Sequence, residues 1–282
     1  MKWVIDQSGN CNASVAGNAY CFGKNHPHYQ RLIGCLRKNN VEHFEALYDY
    51  GEALERYCEG SVELKNGSLY WDNYKMPDLF VDRVVEMREQ GCNFTPMLNF
   101  LDNLSDNPSD RSIVELFDFL QHKDLPITPD GCFLAYKAVN NDFTDKYSGT
   151  FDNKIGNIVE VARESVDATR DHHCSNGLHV GSIDYVLSYG RGGSKDEKGN
   201  VSFDDNGDQF IVCKVNPKDV VSVPTDCRYM KLRTCRYEVV SILKKIYDKP
   251  VAGYQNHIQV SRTATPELVK KISRVGRLLA SV

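Results

Sequence analysis

The sequence predicts an α+β protein with a helical N-terminal and middle lobe that carries a β-hairpin, then a mixed or antiparallel β domain, then a basic C-terminal helix. Three observations lead to this prediction. Apolar residues recur at helical spacing up to residue 120, β-branched apolar runs dominate from residue 126, and a basic amphipathic segment follows residue 265. We therefore expect a helical lobe over 1–125, a β-rich domain with one helix over 126–248, and a linker with a basic helix over 249–282.

The first lobe opens with residues 1–24, whose glycines, asparagines and small residues indicate short strands and turns. After the sequence HPHY the pattern becomes helical, and a polar RKNN break separates two amphipathic helices. Their apolar faces are expected to contain Leu32, Ile33, Leu36, Phe44, Leu47 and Tyr48.

The stretch VELKNGSLYW, residues 62–71, predicts a β-hairpin. Its Asn66-Gly67 pair suits a two-residue type I′ turn, because both central positions of that turn have positive φ. The turn sets the register, and alternation of apolar and polar residues agrees with it. The expected pairs are Val62 with Trp71, Glu63 with Tyr70, Leu64 with Leu69, and Lys65 with Ser68.

Three helices are expected between the hairpin and residue 120. The first starts at Pro77-Asp78 and ends at Gly91. The second covers FTPMLNFLDNL, and the third begins at a cap residue, Ser109 or Asp110. Their apolar stripes indicate a packing core rather than a cofactor site, and comprise Phe80, Val84, Met87, Phe94, Leu98, Leu101, Leu104, Ile113, Leu116, Phe117 and Leu120.

The pattern changes to strands from residue 126 onward. Strands are predicted over the apolar, β-rich segments 131–139, 209–216, 219–224 and 233–243. A helix is expected near SIDYVLSYG, and the polar stretches 140–157 and 190–208 are expected to be loops. The second of these loops contains five glycines, so we expect it to be mobile.

The segment TPELVKKISRVGRLLASV predicts a helix with Thr265 as its N-cap and Pro266 at its first position. One face is apolar and another is basic. The basic face is a candidate surface for a partner, for the acidic body of the chain, for nucleic acid or for an anionic membrane, with packing against a partner or the body favoured. Its residues are Lys270, Lys271, Arg274 and Arg277.

The overall charge of −4 conceals an uneven distribution. Residues 249–282 carry six cations and one acid, a charge of +5, so the preceding residues carry −9. An acidic body is a poor surface for nucleic acid, and any anion-directed contact is expected at the basic helix. No apolar run is long enough to cross a bilayer, and the first residues lack the apolar core of an export signal. The ten cysteines form no CxxC pair, so we expect reduced, mostly buried thiols.

The stretch DHHCSNGLHVGS, residues 171–182, allows three interpretations. His172, Cys174 and His179 could contribute to a zinc site, although no second short pair of ligands supports it. Cys174 and His179 could instead form a nucleophile with its base, if they lie within hydrogen-bond reach. The third interpretation is a turn with positive φ at Gly177, followed by a short strand that buries its apolar residues and places His179 on the opposite face.

Two loops resemble ligand motifs only in part. The stretch NDFTDKYSGTFDN contains three aspartates but lacks the order of a calcium loop, and GRGGS has the glycines of a phosphate loop without its Gly-Lys-Ser/Thr ending. No metal or cofactor site is predicted from either.

Seven stretches, in order, resemble the rIIB proteins of T-even-type bacteriophages. They are GSVELKNGSLYW, SDNPSDRSIVELFDFL, LPITPDGCFLAYKAV, TFDNKIGN, HCSNGLHVGSIDYVLSYG, KVNPKDVVSVPTD and MKLRTCRYEVV, and they cover roughly residues 15–245. No single motif is specific, but their ordered sum is. Candidate ligand residues at these motifs, in the FDN loop, the GLH strand and the RTC element, are His179, Cys174, Gly177, Asp152, Asn153 and Arg233.

The resemblance implies a phage accessory protein associated with rapid-lysis phenotypes and with resistance to host exclusion systems. It implies no catalytic activity, cofactor or metal, so we expect a non-enzymatic binding protein. Its location would be the host cytoplasm, with peripheral contact at the inner membrane, and its partner an rIIA-type phage protein or a host defence protein. An oligomer is compatible with the sequence. Two alternatives stay open: a protein that binds or processes a nucleotide or small ligand through the GLH and FDN motifs, and a structural or nucleic-acid-associated phage component that uses the basic helix.

Overall fold

The computed structural model describes residues 1–24, 26, 28–45, 47–48, 62–65, 68–71, 74–78, 80–82, 95–120, 125–197, 201–204, 206–243 and 266–279. The chain divides into two compact units. The first contains residues 1–97 and 252–282, and the second contains residues 98–251.

Helices and strands both occur in the described chain, as the predicted α+β class requires. The labelled helices are α1 Tyr29–Lys38, α2 Thr95–Ser105, α3 Asp110–Leu120, α4 Ile183–Tyr189 and α5 Pro266–Leu279. The strands are β1 Lys2–Ile5, β2 Cys11–Val15, β3 Asn18–Phe22, β4 Val62–Lys65, β5 Ser68–Trp71, β6 Tyr74–Lys75, β7 Phe133–Val139, β8 Ile158–Glu160, β9 Leu178–Gly181, β10 Gly193–Lys195, β11 Val201–Phe203, β12 Gln209–Val215, β13 Val220–Ser222, β14 Lys231–Thr234 and β15 Arg236–Ile242. Residues 41–45, 47–48, 78 and 80–82 are also helical.

The first unit begins with the antiparallel sheet β1-β2-β3. In β2, buried Cys11, Ala13 and Val15 alternate with exposed residues, so one face of the sheet is apolar. The helical segments after this sheet bury the apolar face that the sequence predicts. Its buried residues are Leu32, Ile33, Leu36, Phe44 and Leu47.

The predicted hairpin has the expected register in all four pairs, from Val62–Trp71 to Lys65–Ser68. Its turn, Asn66-Gly67, lies outside the described residues. The short strand β6 extends the hairpin to three strands, which the sequence did not indicate. Helix α5 packs on β5 and β6, and buries Ile272 and Val275 of its apolar face.

The predicted helix that starts at Pro77 is described only in part. Residues 78 and 80–82 are helical and Phe80 is buried, whereas Val84, Met87 and Gly91 lie outside the described residues. Phe94 and the predicted N-cap Thr265 also lie outside them, but helix α5 does begin at Pro266.

The second unit is built on a seven-stranded sheet in the order β13-β14-β9-β7-β12-β15-β8. Every pair of neighbours in it is antiparallel, so of the two predicted sheet types the antiparallel one forms. Helix α4 covers one face: Val186 packs with Ala138 and Phe210 in a buried cluster.

One predicted strand, 233–243, is two strands in the structure. Strand β14 ends at Thr234 and β15 begins at Arg236, so only Cys235 separates them. In the sheet, however, β9, β7 and β12 lie between β14 and β15. The sheet must therefore curve back on itself. The amide of Cys235 donates to the Asp219 carbonyl at 3.0 Å, which holds the chain at this crossing. Local propensity does not encode such a crossing.

Helix α3 protects the β13 edge of the sheet. Ser109 caps the helix, because its hydroxyl accepts from the Ser112 amide at 3.2 Å. The Ser112 hydroxyl in turn donates to the Val221 carbonyl at 2.6 Å, and the Val223 amide donates to the buried Glu115 carboxylate at 2.9 Å. Side chains thus satisfy an edge that would otherwise be free to pair with another strand. These bonds attach α3 to the sheet of the second unit, which begins at residue 98.

Candidate functional site

His179 and Arg233 occupy opposed positions on neighbouring strands. His179 of β9 pairs with Arg233 of β14 in antiparallel register, so both side chains project from the same face of the sheet. Leu178 and Val180, on either side of His179, are buried on the other face. The structure therefore brings two of the predicted ligand residues together, although 54 positions separate them in the sequence.

The Arg233 side chain is fully buried, at 0% exposure, yet its hydrogen-bonding capacity is only partly used. Its Nη1 donates to the carbonyls of Asp167 at 3.2 Å and Thr169 at 3.0 Å, and to the Ser222 hydroxyl at 3.1 Å. Its Nε and Nη2 have no acceptor in the part of the chain that the structure describes. A guanidinium has five N–H donors, and buried donors are nearly always satisfied in proteins.

His179 lies in a cationic environment. Burial and, after it, the positive charges of Lys137, Arg233 and Lys231 together lower the pKa of its imidazole to about 4. The ring is therefore neutral at pH 7. The carbonyl of His179 accepts from Lys137 Nζ at 3.0 Å.

Lys137 and Lys231 contribute to this site but were not predicted from the sequence. Lys231, 4% exposed, donates to the His173 carbonyl and to Asp226, both at 2.6 Å. Burial lowers the pKa of the Lys137 amine. A lone lysine inside the apolar run 131–139 is the sequence signal that could have identified Lys137, because lysine is rarely buried unless a partner group binds its amine.

The stretch 171–177 folds as a turn supported by Asp167. The Asp167 carboxylate accepts from the Thr169 amide at 2.8 Å and contacts His172 Nδ1 at 2.7 Å. A hydrogen bond from the Ser175 hydroxyl contributes most to holding the pKa of Asp167 well below its usual value, and the bonds with Thr169 and His172 contribute next. Gly177 has φ +139°, and a Cβ there would lie 2.7 Å from Val166 Cγ1, so the position requires glycine.

This geometry favours the turn over the other two interpretations of the same stretch. Cys174 is an exposed free thiol, and it makes no hydrogen bond to His179 within the described chain. No group of three or more histidine, cysteine or acidic residues is arranged to hold a metal among the residues described. Cys174 does lie close enough to Arg233 for its charge to affect the pKa of the guanidinium.

A second polar cluster organises the loop between β7 and β8. The Asp145 carboxylate, 7% exposed, accepts from the amides of Tyr147 at 3.2 Å, Ser148 at 2.6 Å, Thr150 at 2.9 Å and Phe151 at 2.9 Å, and from the Ser148 hydroxyl at 2.7 Å. Burial raises the pKa of this carboxyl, but the bonds from Phe151 and Ser148 outweigh burial and hold the pKa well below its usual value.

The predicted ligand residues Asp152 and Asn153 belong to this loop. Asn153 is fully buried: its amide donates to the carbonyls of Phe143 at 3.2 Å and Phe151 at 2.9 Å, and its oxygen accepts from the Tyr237 hydroxyl at 2.5 Å. Asp152 is exposed and accepts from the Lys154 amide at 3.2 Å. Neither side chain hydrogen-bonds to His179, Gly177 or Arg233 within the described residues. Asn153 instead connects the loop to strand β15 through its hydrogen bond with Tyr237.

The basic helix α5 belongs to the first unit. Lys270 and Arg277 are exposed, and the Arg277 guanidinium lies 5.8 Å from the centre of the Tyr74 ring. Lys271 and Arg274 are half-buried. No helix in the described part of the chain is both long and apolar enough to cross a membrane.

Comparisons with known proteins agree with the resemblance found in the sequence. The family model described as Bacteriophage T4 protein rIIB matches residues 4–258. Protein rIIB of Enterobacteria phage T4 is 37% identical over 215 residues, which are 76% of this chain and 64% of the T4 protein. The chain thus spans somewhat less than two thirds of that relative. No solved structure matches the chain.

Proposed function

Because the chain belongs to the family of bacteriophage T4 protein rIIB, we propose that it is a non-enzymatic phage accessory protein that acts by binding. In this proposal it protects infection from host defence or exclusion systems and modulates the time of lysis.

The observation that carries the proposal is the match of residues 4–258 to the rIIB family, and the state of His179 is compatible with it. A general base works best when its pKa lies near the working pH, and the pKa of His179 is about 4. The candidate nucleophile of the same stretch, Cys174, has no hydrogen bond to His179 within the described residues. The buried Asn153 holds the loop, and the half-buried Gly177 forms the turn. These residues are better suited to support surfaces than to perform chemistry.

We propose that the partner is an rIIA-type phage protein or a host defence protein, met in the host cytoplasm or peripherally at the inner membrane. The exposed cations Lys270 and Arg277 support the proposal that the partner presents an acidic surface. Complementary charges at the edge of an interface speed association and orient the two proteins.

The test of the biological role is deletion of the gene from the phage that carries it. Plating should fall at least about tenfold on hosts that carry an exclusion system and stay unchanged on hosts that lack it, and lysis should come earlier. Equal plating on both hosts together with unchanged lysis timing would overturn the proposal.

The contribution of α5 is tested by the double substitution Lys270→Glu/Arg277→Glu. The matched control is Lys154→Glu/Lys218→Glu, which changes the charge equally at two other exposed lysines. Affinity purification from infected cells should lose the partner for the first variant and retain it for the control. Equal recovery with both variants would show that the basic face is not the contact.

A further inference from the structure

We propose that Arg233 and His179 form the floor of a binding site for a phosphate-class oxyanion, free or as the terminal phosphoryl group of a larger molecule. The proposal does not depend on the proposed function, because the site is argued only from its own side chains.

Two of the three nitrogens of the Arg233 guanidinium have no hydrogen-bond acceptor in the described chain. Nε and Nη2 lie on one edge of the planar guanidinium, and this edge matches two oxygens of a phosphate in a bidentate contact. On Arg233, Nη1 has three acceptors while Nε and Nη2 have none in the described chain. Leaving charged donors buried and unsatisfied is costly, so an acceptor from outside the chain would stabilise the fold.

The second argument is the local charge. Lys137, Arg233 and Lys231 all lower the pKa of His179 through their positive charge, and of these Lys231 is also paired with Asp226 at 2.6 Å. The Lys137 amine donates to a carbonyl, and no ion pair with a carboxylate is described for it. Acidic groups are also present: Asp167, Asp226 and Glu115 act on Arg233 through their charge. None of them accepts a hydrogen bond from its Nε or Nη2.

The third argument is the chain that covers the site. Residues 167–169 are held over Arg233 by their carbonyls, and the segment from 171 to 174 is exposed. Gly177 packs against the Arg233 side chain, since a Cβ at this position would lie 3.5 Å from Arg233 Cβ and Cδ.

The experiment is titration of the full chain with inorganic phosphate and, in parallel, with adenosine 5′-monophosphate at constant ionic strength. Isothermal calorimetry should give saturable binding to one site. Tighter binding of inorganic phosphate would identify the free ion as the ligand, and tighter binding of the nucleotide would identify a terminal phosphoryl group. Absence of saturable binding by both probes would overturn the proposal.

The decisive variant is Arg233→Lys, which keeps the charge but loses the planar fork. It should weaken binding at least about tenfold, the size expected when a charge-assisted bidentate contact is lost. Arg236→Lys is the matched control, because its side chain is 44% exposed and lies 3.6 Å from Glu160. Equal affinity of the two variants would contradict the site.

A readout without substitution covers the case in which Arg233→Lys does not fold. In the unmodified chain, the Nε–H resonance of Arg233 should shift on addition of phosphate and become protected from exchange with water. The pKa of His179 should also rise from about 4 as the anion arrives, because a nearby negative charge favours the imidazolium. An unchanged Arg233 resonance at saturating phosphate would rule the site out.

Discussion

Two buried polar clusters in the second unit can be compared directly: the loop organised by Asp145, and the sheet face that carries Arg233. Each is built around one buried charged side chain. Asp145 receives five hydrogen bonds from its own loop, whereas Arg233 uses one of its three nitrogens and leaves the other two without acceptors in the described chain. The first cluster is complete as it stands, and the second is not.

The difference separates two uses of a buried charge. A network in which every member is satisfied fixes one conformation, so its removal costs stability. In a network with unused donors, the buried N–H groups have lost water without gaining a partner. An acceptor that binds them therefore stabilises the protein. Both clusters contain residues of stretches that resemble the rIIB family, so membership of such a stretch does not by itself indicate which use applies.

The largest effect is expected for Asp145→Ala. The free energy of unfolding should fall by about 3–4 kcal/mol, because four amides and a hydroxyl lose a charged acceptor. Urea unfolding measures the change. Asp152→Ala, at an exposed aspartate of the same loop, should stay within about 0.5 kcal/mol of the unmodified chain. Equal effects at the two positions would remove the contrast between the clusters.

A smaller effect is expected for Gly177→Ala, in the Arg233 cluster. The positive φ and the close approach of Val166 should cost about 2 kcal/mol of stability. Gly149→Ala has a positive φ of 69° but nothing within 4 Å of the added Cβ, so it should cost about 1 kcal/mol. The excess at Gly177, measured by thermal unfolding, isolates the steric part. No excess would mean that the turn adapts.

Tyr237→Phe tests the loop organised by Asp145, in which the buried polar groups have hydrogen-bond partners. It removes the hydroxyl that donates to Asn153 at 2.5 Å and leaves a buried amide oxygen without that donor. We expect a loss of about 1–2 kcal/mol in urea unfolding. The control is Tyr147→Phe, at a side chain that is 97% exposed, for which no change is expected. A neutral Tyr237→Phe would show that this bond does not hold the loop.

The two clusters are also expected to respond differently to acid. The folded pKa of His179, about 4, is below its ordinary 6.5, so the unfolded chain binds the proton first and stability falls as pH drops from about 6.5 to 4. Asp145 also has a lowered pKa, so its contribution is present above about pH 3.8 and is lost below it.

Urea unfolding between pH 7 and pH 3 separates these two windows. His179→Gln should reduce the slope in the upper window, to which His28 also contributes because burial lowers its pKa to about 4, and should leave the lower window intact. If the slope between pH 6.5 and pH 4 is the same in the variant, His179 is not its source.

Local features of the sequence determined much of the secondary structure. The hairpin register follows from an Asn-Gly pair and alternation over 62–71, and α3 begins where Ser109 can cap it. The buried apolar residues of α1 were also predictable, whereas the sequence left the β domain as mixed or antiparallel. Each of these depends on neighbours within a few positions, where propensity and turn geometry act directly.

Only the tertiary structure decided the roles of the polar residues. Asn153 meets Tyr237 across 84 positions, the strand predicted over 233–243 divides at Cys235, and Lys137 reaches the carbonyl of His179 from a neighbouring strand. Whether a buried charge is satisfied depends on which distant groups the fold places around it. Desolvation and hydrogen bonding are set by that three-dimensional neighbourhood, and the order of residues along the chain does not contain it in readable form.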